Sequence, residues 1–183
     1  MDEKNRIVKF KEYLPFLSED VVRELQYEGF FKAPASTIHH GNYEGGLFDH
    51  SYEVAKTLVE LTEKNNLIWQ RPKSPMIIGM FHDLCKIDAY IRISEGRTLS
   101  GTTIYGEYEH NNNTMYEGHG DKSVMILSTL MQLTPEEVAC IRYHMGAFTD
   151  KSEWKYYTRA VKQFPNVLWT HHADMIASQI VGI

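Results

Sequence analysis

The segment Ser74–Phe81, SPMIIGMF, is apolar on nearly every side and runs directly into His82 and Asp83. A helix that is hydrophobic all round has no solvent face, so it belongs at the centre of a helical bundle. The spacing predicts such a helix over about residues 75–89, which carries an imidazole and a carboxylate into the interior. Burying even an unpartnered neutral polar group costs on the order of 2 to 7 kcal/mol. The site therefore calls for a binding partner, and the rest of the chain offers companions for these two side chains.

Most of the chain shows apolar residues at three- and four-residue spacing, so the predicted fold class is all-α. Helices are expected at 7–17, at 21–31 with Ser18 as N-cap, from Leu47 onward, at 120–131, at 135–145 opened by Thr134 and Pro135, at 153–164 and at 166–181. In the third of these, Leu47, His50, Val54, Leu58 and Leu61 form one stripe, which puts a polar ring on a core face. The Gly- and Pro-containing stretch KAPASTIHHGNYEGG reads as loop. Near residues 90–110, Ile91, Ile93 and Ile104 alternate with polar neighbours around glycines, which predicts a small β-hairpin excursion. The length of 183 residues suits one domain, 1–183, with N-terminal helices in 1–31 packing on a motif-bearing core at 36–179.

Charge and hydropathy narrow the function. Net charge is −5, and no run of Lys or Arg exceeds two, so the footprint of a protein that tracks long duplex nucleic acid is missing. The apolar run Met76–Phe81 is far below the roughly 20 residues of a membrane span, and MDEKNR lacks the pattern of a secretion signal. The expectation is a soluble, cytoplasmic protein with no membrane partner. In that compartment Cys85 and Cys140 read as reduced core thiols.

Among nine histidines, His50, His82, His119 and His144 lie on or beside predicted helices, together with Asp83 and Asp174. Side chains drawn from separate helices are how a bundle builds a metal site. Four imidazoles and two carboxylates suit a first-row ion (Mn, Fe, Co, Ni or Zn) better than Mg or Ca, which prefer oxygen shells. Asp83 has the further capacity to bridge two ions. In the last helix Val167, His171, Asp174 and Ser178 share a face, with Asp174 where an aliphatic residue would be cheaper. A single buried histidine is ordinarily a hydrogen-bonded core residue; the company of the other ligand types favours coordination here. His119, between two glycines at a helix start, reads as ligand or cap, and Lys86 as a helix partner of Asp83 or an anion contact. His39 and His40 reach substrate or are solvated, His171 orients Asp174 or packs, and His110 and His172 are surface residues. Tyr90, Tyr105, Tyr108 and Tyr116 stack on a base or cover the core.

The order His50, His82-Asp83, Asp174 resembles the signature of HD-domain metal-dependent phosphohydrolases. The wider motifs IHHGNYEGGLFDHS, FHDLCKI, YEGHGDKS and ADMIAS are similar to the HD domains of 3′ to 5′ exoribonucleases and of small stand-alone HD hydrolases, across about residues 36–179. The resemblance implies an HD-domain helical bundle in which His50, His82, Asp83 and Asp174 hold one ion. It further implies that His119 and His144 complete a second site sharing Asp83, and that Lys86 faces the phosphate. Two departures stand out: Tyr143-His144 replaces the His-His pair of many relatives, and no segment supplies the exoribonucleases' oligonucleotide-binding module. The expected function is hydrolysis of a phosphomonoester or phosphodiester in a nucleotide or short oligonucleotide by metal-activated water. Asp83 and Lys86 are the catalytic residues in that reading, and Lys86, Lys122 and His40 bind the phosphorylated substrate. Lys122 and His119 are candidates for protonating the leaving group, and one or two divalent transition-metal ions are the cofactor. Rival readings are a nucleotide-binding module with little turnover and an HD-type di-iron oxygenase using the same ligands.

Overall fold

The computed structural model describes residues 1–93, 96–97, 103–104 and 108–183. The chain is mostly helical: α1 (Glu3–Tyr13), α2 (Glu19–Tyr27), α3 (Gly46–Asn65), α4 (Ser74–Phe81), α5 (Gly120–Leu130), α6 (Pro135–Arg142), α7 (Trp154–Gln163) and α8 (Asn166–Met175). A π-helical turn, Ile176–Val181, continues α8. The hairpin expected near 90–110 is present as two nested antiparallel ladders. Strand β1 (Tyr90–Arg92) pairs with β4 (Tyr108–His110), and β2 (Gly96–Arg97) pairs with β3 (Thr103–Ile104). Tyr105 and the side chain of Ile104 lie outside the described residues. Among those described, no helix is long and apolar enough to cross a membrane.

The chain divides into two compact units, Met1–Phe48 with Lys86–Met115, and Asp49–Cys85 with Tyr116–Ile183. In the first, α1 and α2 bury Phe10, Leu14 and Leu25. The Phe31 ring meets Phe10 and Phe30 edge to face at 5.4 and 5.3 Å. Helix α1 begins and ends about four residues before its predicted bounds, because the Asp2 carboxylate accepts the Asn5 N–H at 2.8 Å and caps it early. Ser18 caps α2 as expected. That helix stops at Tyr27 rather than 31, since the Phe30 N–H turns back to the Leu25 carbonyl at 2.9 Å.

In the second unit α6 packs against α4, α5 and α8, and α4 also meets α8. All of α4 but Met76 is buried, in keeping with its apolar sequence. The predicted helix 75–89 is shorter than expected: α4 ends at Phe81 and a single 3₁₀ turn, Leu84–Ile87, follows. The Cys85 N–H leaves the helical ladder for the Ser123 hydroxyl at 3.0 Å. Helix α6 has the expected Thr134 cap with Pro135 in its first turn, completed by Glu137 as a capping box, and ends at Arg142, short of the predicted 145.

Two glycines set how closely these helices approach. A Cβ on Gly79 of α4 would collide with the backbone of Ala55 in α3, and one on Gly120 of α5 with the backbone of Arg142 in α6. The first contact draws α4 onto the helix that carries His50. The second brings the start of α5 to the end of α6, beside which His119 and His144 stand.

Candidate metal centre

Each predicted metal ligand belongs to the second unit. His50 lies in the first part of α3 and Asp174 near the end of α8, whereas His82, Asp83, His119 and His144 sit just outside helices rather than within them. His119 occupies the N-cap position of α5 and its side chain makes no capping bond, which removes the capping reading. His50, His82, Asp83 and His144 are buried, and Asp174 is nearly so.

Three of the rings are held alike. Nδ1 of His50, His82 and His144 lies 2.8, 2.9 and 2.7 Å from the backbone carbonyls of Ile183, Gly79 and Ile141. A carbonyl oxygen only accepts, so in each neutral ring the proton resides on Nδ1 and Nε2 presents a lone pair. These lone pairs converge on carboxylate oxygens. His50 Nε2 is 3.2 Å from Asp174 Oδ1 and 3.6 Å from Asp83 Oδ2, and His82 Nε2 is 3.5 Å from Asp83 Oδ2. On the other side of the same carboxylate, His119 and His144 place Nε2 2.8 and 3.4 Å from Asp83 Oδ1. The two oxygens of Asp83 thus face different histidine pairs, as a bridging carboxylate does.

The chemistry of this set demands positive charge. Acceptors face acceptors, and His82 Nε2 is buried with no hydrogen-bond partner among the described residues. Burial, opposed by the Asp83 and Asp174 carboxylates, pushes the His82 imidazole down to about 3, so that ring is neutral and able to coordinate near pH 7. Burial alone would raise the Asp174 carboxyl; its contact with His50 and the proximity of His82 outweigh that and hold the group below the usual carboxylate range. Among the described residues, three overlapping groups have donor atoms close enough together to hold a metal ion: His50, His82 and Asp174; His82, Asp83 and His144; Asp83, Cys85 and His119.

Cys85 is the member that sequence reasoning missed. Its Sγ lies 3.3 Å from His119 Nδ1, and the only sequence signal is its place two residues after Asp83 in HDLC. Both cysteines are free, as expected, and burial pushes the Cys140 thiol up despite a hydrogen bond with Thr170. His171, read as orienting Asp174 or as packing, donates Nδ1–H to the His144 carbonyl at 2.9 Å and steadies that turn. Tyr143, at the departure from the His-His pattern, accepts a hydrogen bond from Arg142 at 2.7 Å. Of the expected substrate contacts, Lys122 is buried on α5. Lys86, half-buried on the 3₁₀ turn, and His40, whose carbonyl accepts from Ser36, belong to the first unit. His172 and His110 are exposed, Tyr90 lies 5.3 Å from the His110 ring, and Tyr116 is exposed.

No family model matches the chain, and no curated protein or solved structure is significantly similar to it.

The buried neutral His82 makes the metal-free protein acid-sensitive. Its ordinary value near 6.5 applies when unfolded and about 3 when folded, so between these limits the unfolded chain binds the extra proton. Stability is then complete above pH 6.5 and falls with decreasing pH, by up to ~1.4 kcal/mol per pH unit from this ring. Urea unfolding in the presence of a chelator should show midpoints dropping steadily from pH 7 to pH 4.5. A flat midpoint over that range contradicts a neutral, buried His82.

Proposed function

We propose that this chain is an HD-type metal-dependent phosphohydrolase acting on a phosphoester of nucleotide or short-oligonucleotide size. The observation that carries the reading is the buried His82 Nε2, without a hydrogen-bond partner among the described residues and set among carboxylate oxygens and further imidazole lone pairs, an arrangement that a cation relieves. His50, His82, Asp83 and Asp174 would hold one ion, and Asp83, His119 and His144 a second, drawn from Mn, Fe, Co, Ni and Zn. Ions bound in this way supply Lewis acidity, lowering the pKa of water from about 15.7 toward 7 and neutralising phosphoryl charge.

The chain's own part is orientation. The Nδ1–H groups of His50, His82 and His144 stay on their carbonyls and keep each Nε2 aimed inward, while Asp83 divides its oxygens between the two histidine pairs. Lys122, on α5 within the same unit as the ligands, would contact the substrate phosphate. The motifs around His50, His82-Asp83, His119 and Asp174 support the assignment by resemblance, and the absence of any long basic run fits a small substrate.

Elemental analysis of the purified protein, followed by a screen of nucleoside phosphates, cyclic dinucleotides, short oligonucleotides and generic phosphodiesters, tests the proposal. The expected result is a first-row metal and phosphoester hydrolysis that a chelator abolishes and Mn²⁺ restores. Iron with oxygen uptake and no phosphoester cleavage would replace this reading with an oxygenase. A bound nucleotide left intact after long incubation with Mn²⁺ would replace it with a binding module.

A further inference from the structure

The four histidines of the centre are anchored in two different ways. His50, His82 and His144 rest Nδ1 on backbone carbonyls, while the contact at His119 Nδ1 is the Cys85 sulfur at 3.3 Å. His119 Nε2 is the nitrogen aimed at the cluster, 2.8 Å from Asp83 Oδ1 and 3.1 Å from His144 Nε2. For that nitrogen to offer a lone pair, the ring proton must sit on Nδ1, directed at Cys85 Sγ. We infer that Cys85 is the positioning residue of the second ion, holding His119 through an Nδ1–H···Sγ hydrogen bond, and is not itself a ligand.

The surroundings are built for this. The backbone N–H of Cys85 donates to the Ser123 hydroxyl at 3.0 Å, and Ser123 lies one helical turn beyond His119 on α5. The turn after Asp83 is therefore pinned to α5 at two points, one backbone and one sulfur. His119 is also the least buried of the four rings, with 35% of its side chain exposed, so packing restrains it least and the sulfur contact matters most there. Supporting hydrogen bonds of this kind are worth about 10- to 100-fold in metal affinity.

The inference rests on the metal-centre reading, and calorimetric titration of Mn²⁺ into the chelator-treated full chain separates the two. Wild type is expected to show two binding events. In Cys85→Ala one event weakens about 10- to 100-fold and the other is unchanged. Cys85→Ser recovers part of the loss, because a hydroxyl accepts the same N–H, and Cys140→Ala, which removes the other buried thiol, leaves both events intact. Should Cys85→Ala fail to fold, Ser123→Ala carries the test by weakening the same single event. Two undiminished events in both Cys85→Ala and Ser123→Ala overturn the inference. So does a sulfur-to-cobalt charge-transfer band in Co²⁺-loaded wild type that vanishes in Cys85→Ser, which would make the sulfur a ligand. A wild type that binds no ion overturns the metal-centre reading itself.

Discussion

If the proposed dinuclear hydrolase is right, Asp83→Ala is expected to lose both metal ions together and, with them, hydrolysis. Among the described residues, it is Asp83 whose two oxygens face different histidine pairs, Oδ2 toward His50 and His82 and Oδ1 toward His119 and His144. In the proposed assignment each other ligand belongs to one ion, although His82 falls in two of the donor groups: Asp174→Ala should empty the His50–His82 side, and His144→Ala should spare it. Loss of a direct ligand exceeds the about 100-fold that a supporting hydrogen bond commands, so metal content should fall below detection after dialysis. The same change removes a carboxylate facing imidazole lone pairs, so without metal the variant should melt no lower than metal-free wild type. Elemental analysis with parallel thermal melts in a chelator checks both statements. An Asp83→Ala protein that retains one ion per chain would show that the carboxylate does not bridge.

The second large effect concerns stability alone. Arg71→Ala should cost about 3 kcal/mol, the lower end of the range for breaking a buried pair, because Arg71 is one-third exposed and partly screened by water. Glu137 is fully buried at the start of α6. Its carboxylate takes two hydrogen bonds from the Arg71 guanidinium at 2.7 Å each, one from the Ser74 hydroxyl at 2.8 Å and one from the Thr134 N–H at 2.9 Å. Without Arg71 the charge stays in the interior with no cation. For a chain of this size the loss corresponds to a melting point lower by roughly 6–12 °C. Adding Glu137→Gln to Arg71→Ala should recover part of it, since a neutral amide suffers less from burial without a cation. If Arg71→Ala melts within a degree or two of wild type, the pair is a surface decoration and the account of α6 fails.

This staple also marks where sequence reading stops. Thr134, Pro135 and the acidic first turn are visible as a helix start, and the structure has that start. Nothing in the sequence separates Glu137, which is buried on Arg71 and Ser74, from a solvated first-turn glutamate. Glu136 is similar: it accepts from the Gln70 N–H at 2.6 Å and from Asn166 at 2.9 Å, partners distant along the chain. Helix ends were less legible than helix centres. The apolar residues Phe30 and Phe31 prolong the pattern of α2 past its true end, and the stripe of α4 hides the exit of Cys85 toward Ser123.

What the sequence determined by itself is local and periodic. Apolar spacing marks the helices, the position of His50 within the stripe of α3 places a polar ring in the interior, and the apolar run before His82 and Asp83 announces a buried pair. The tertiary structure alone decided that Nε2 atoms from separate segments converge on the two sides of one carboxylate, and that carbonyls, and in one case a sulfur, take the opposite nitrogens. It also decided which residues stay out of that set, as with His171, which turns to the His144 carbonyl. The reason is physical: periodicity reports which face of a helix is buried, whereas convergence depends on how closely two helices approach. Here that closeness turns on the missing Cβ atoms of Gly79 and Gly120, whose neighbours across the contact, Ala55 and Arg142, are more than twenty residues away in the chain.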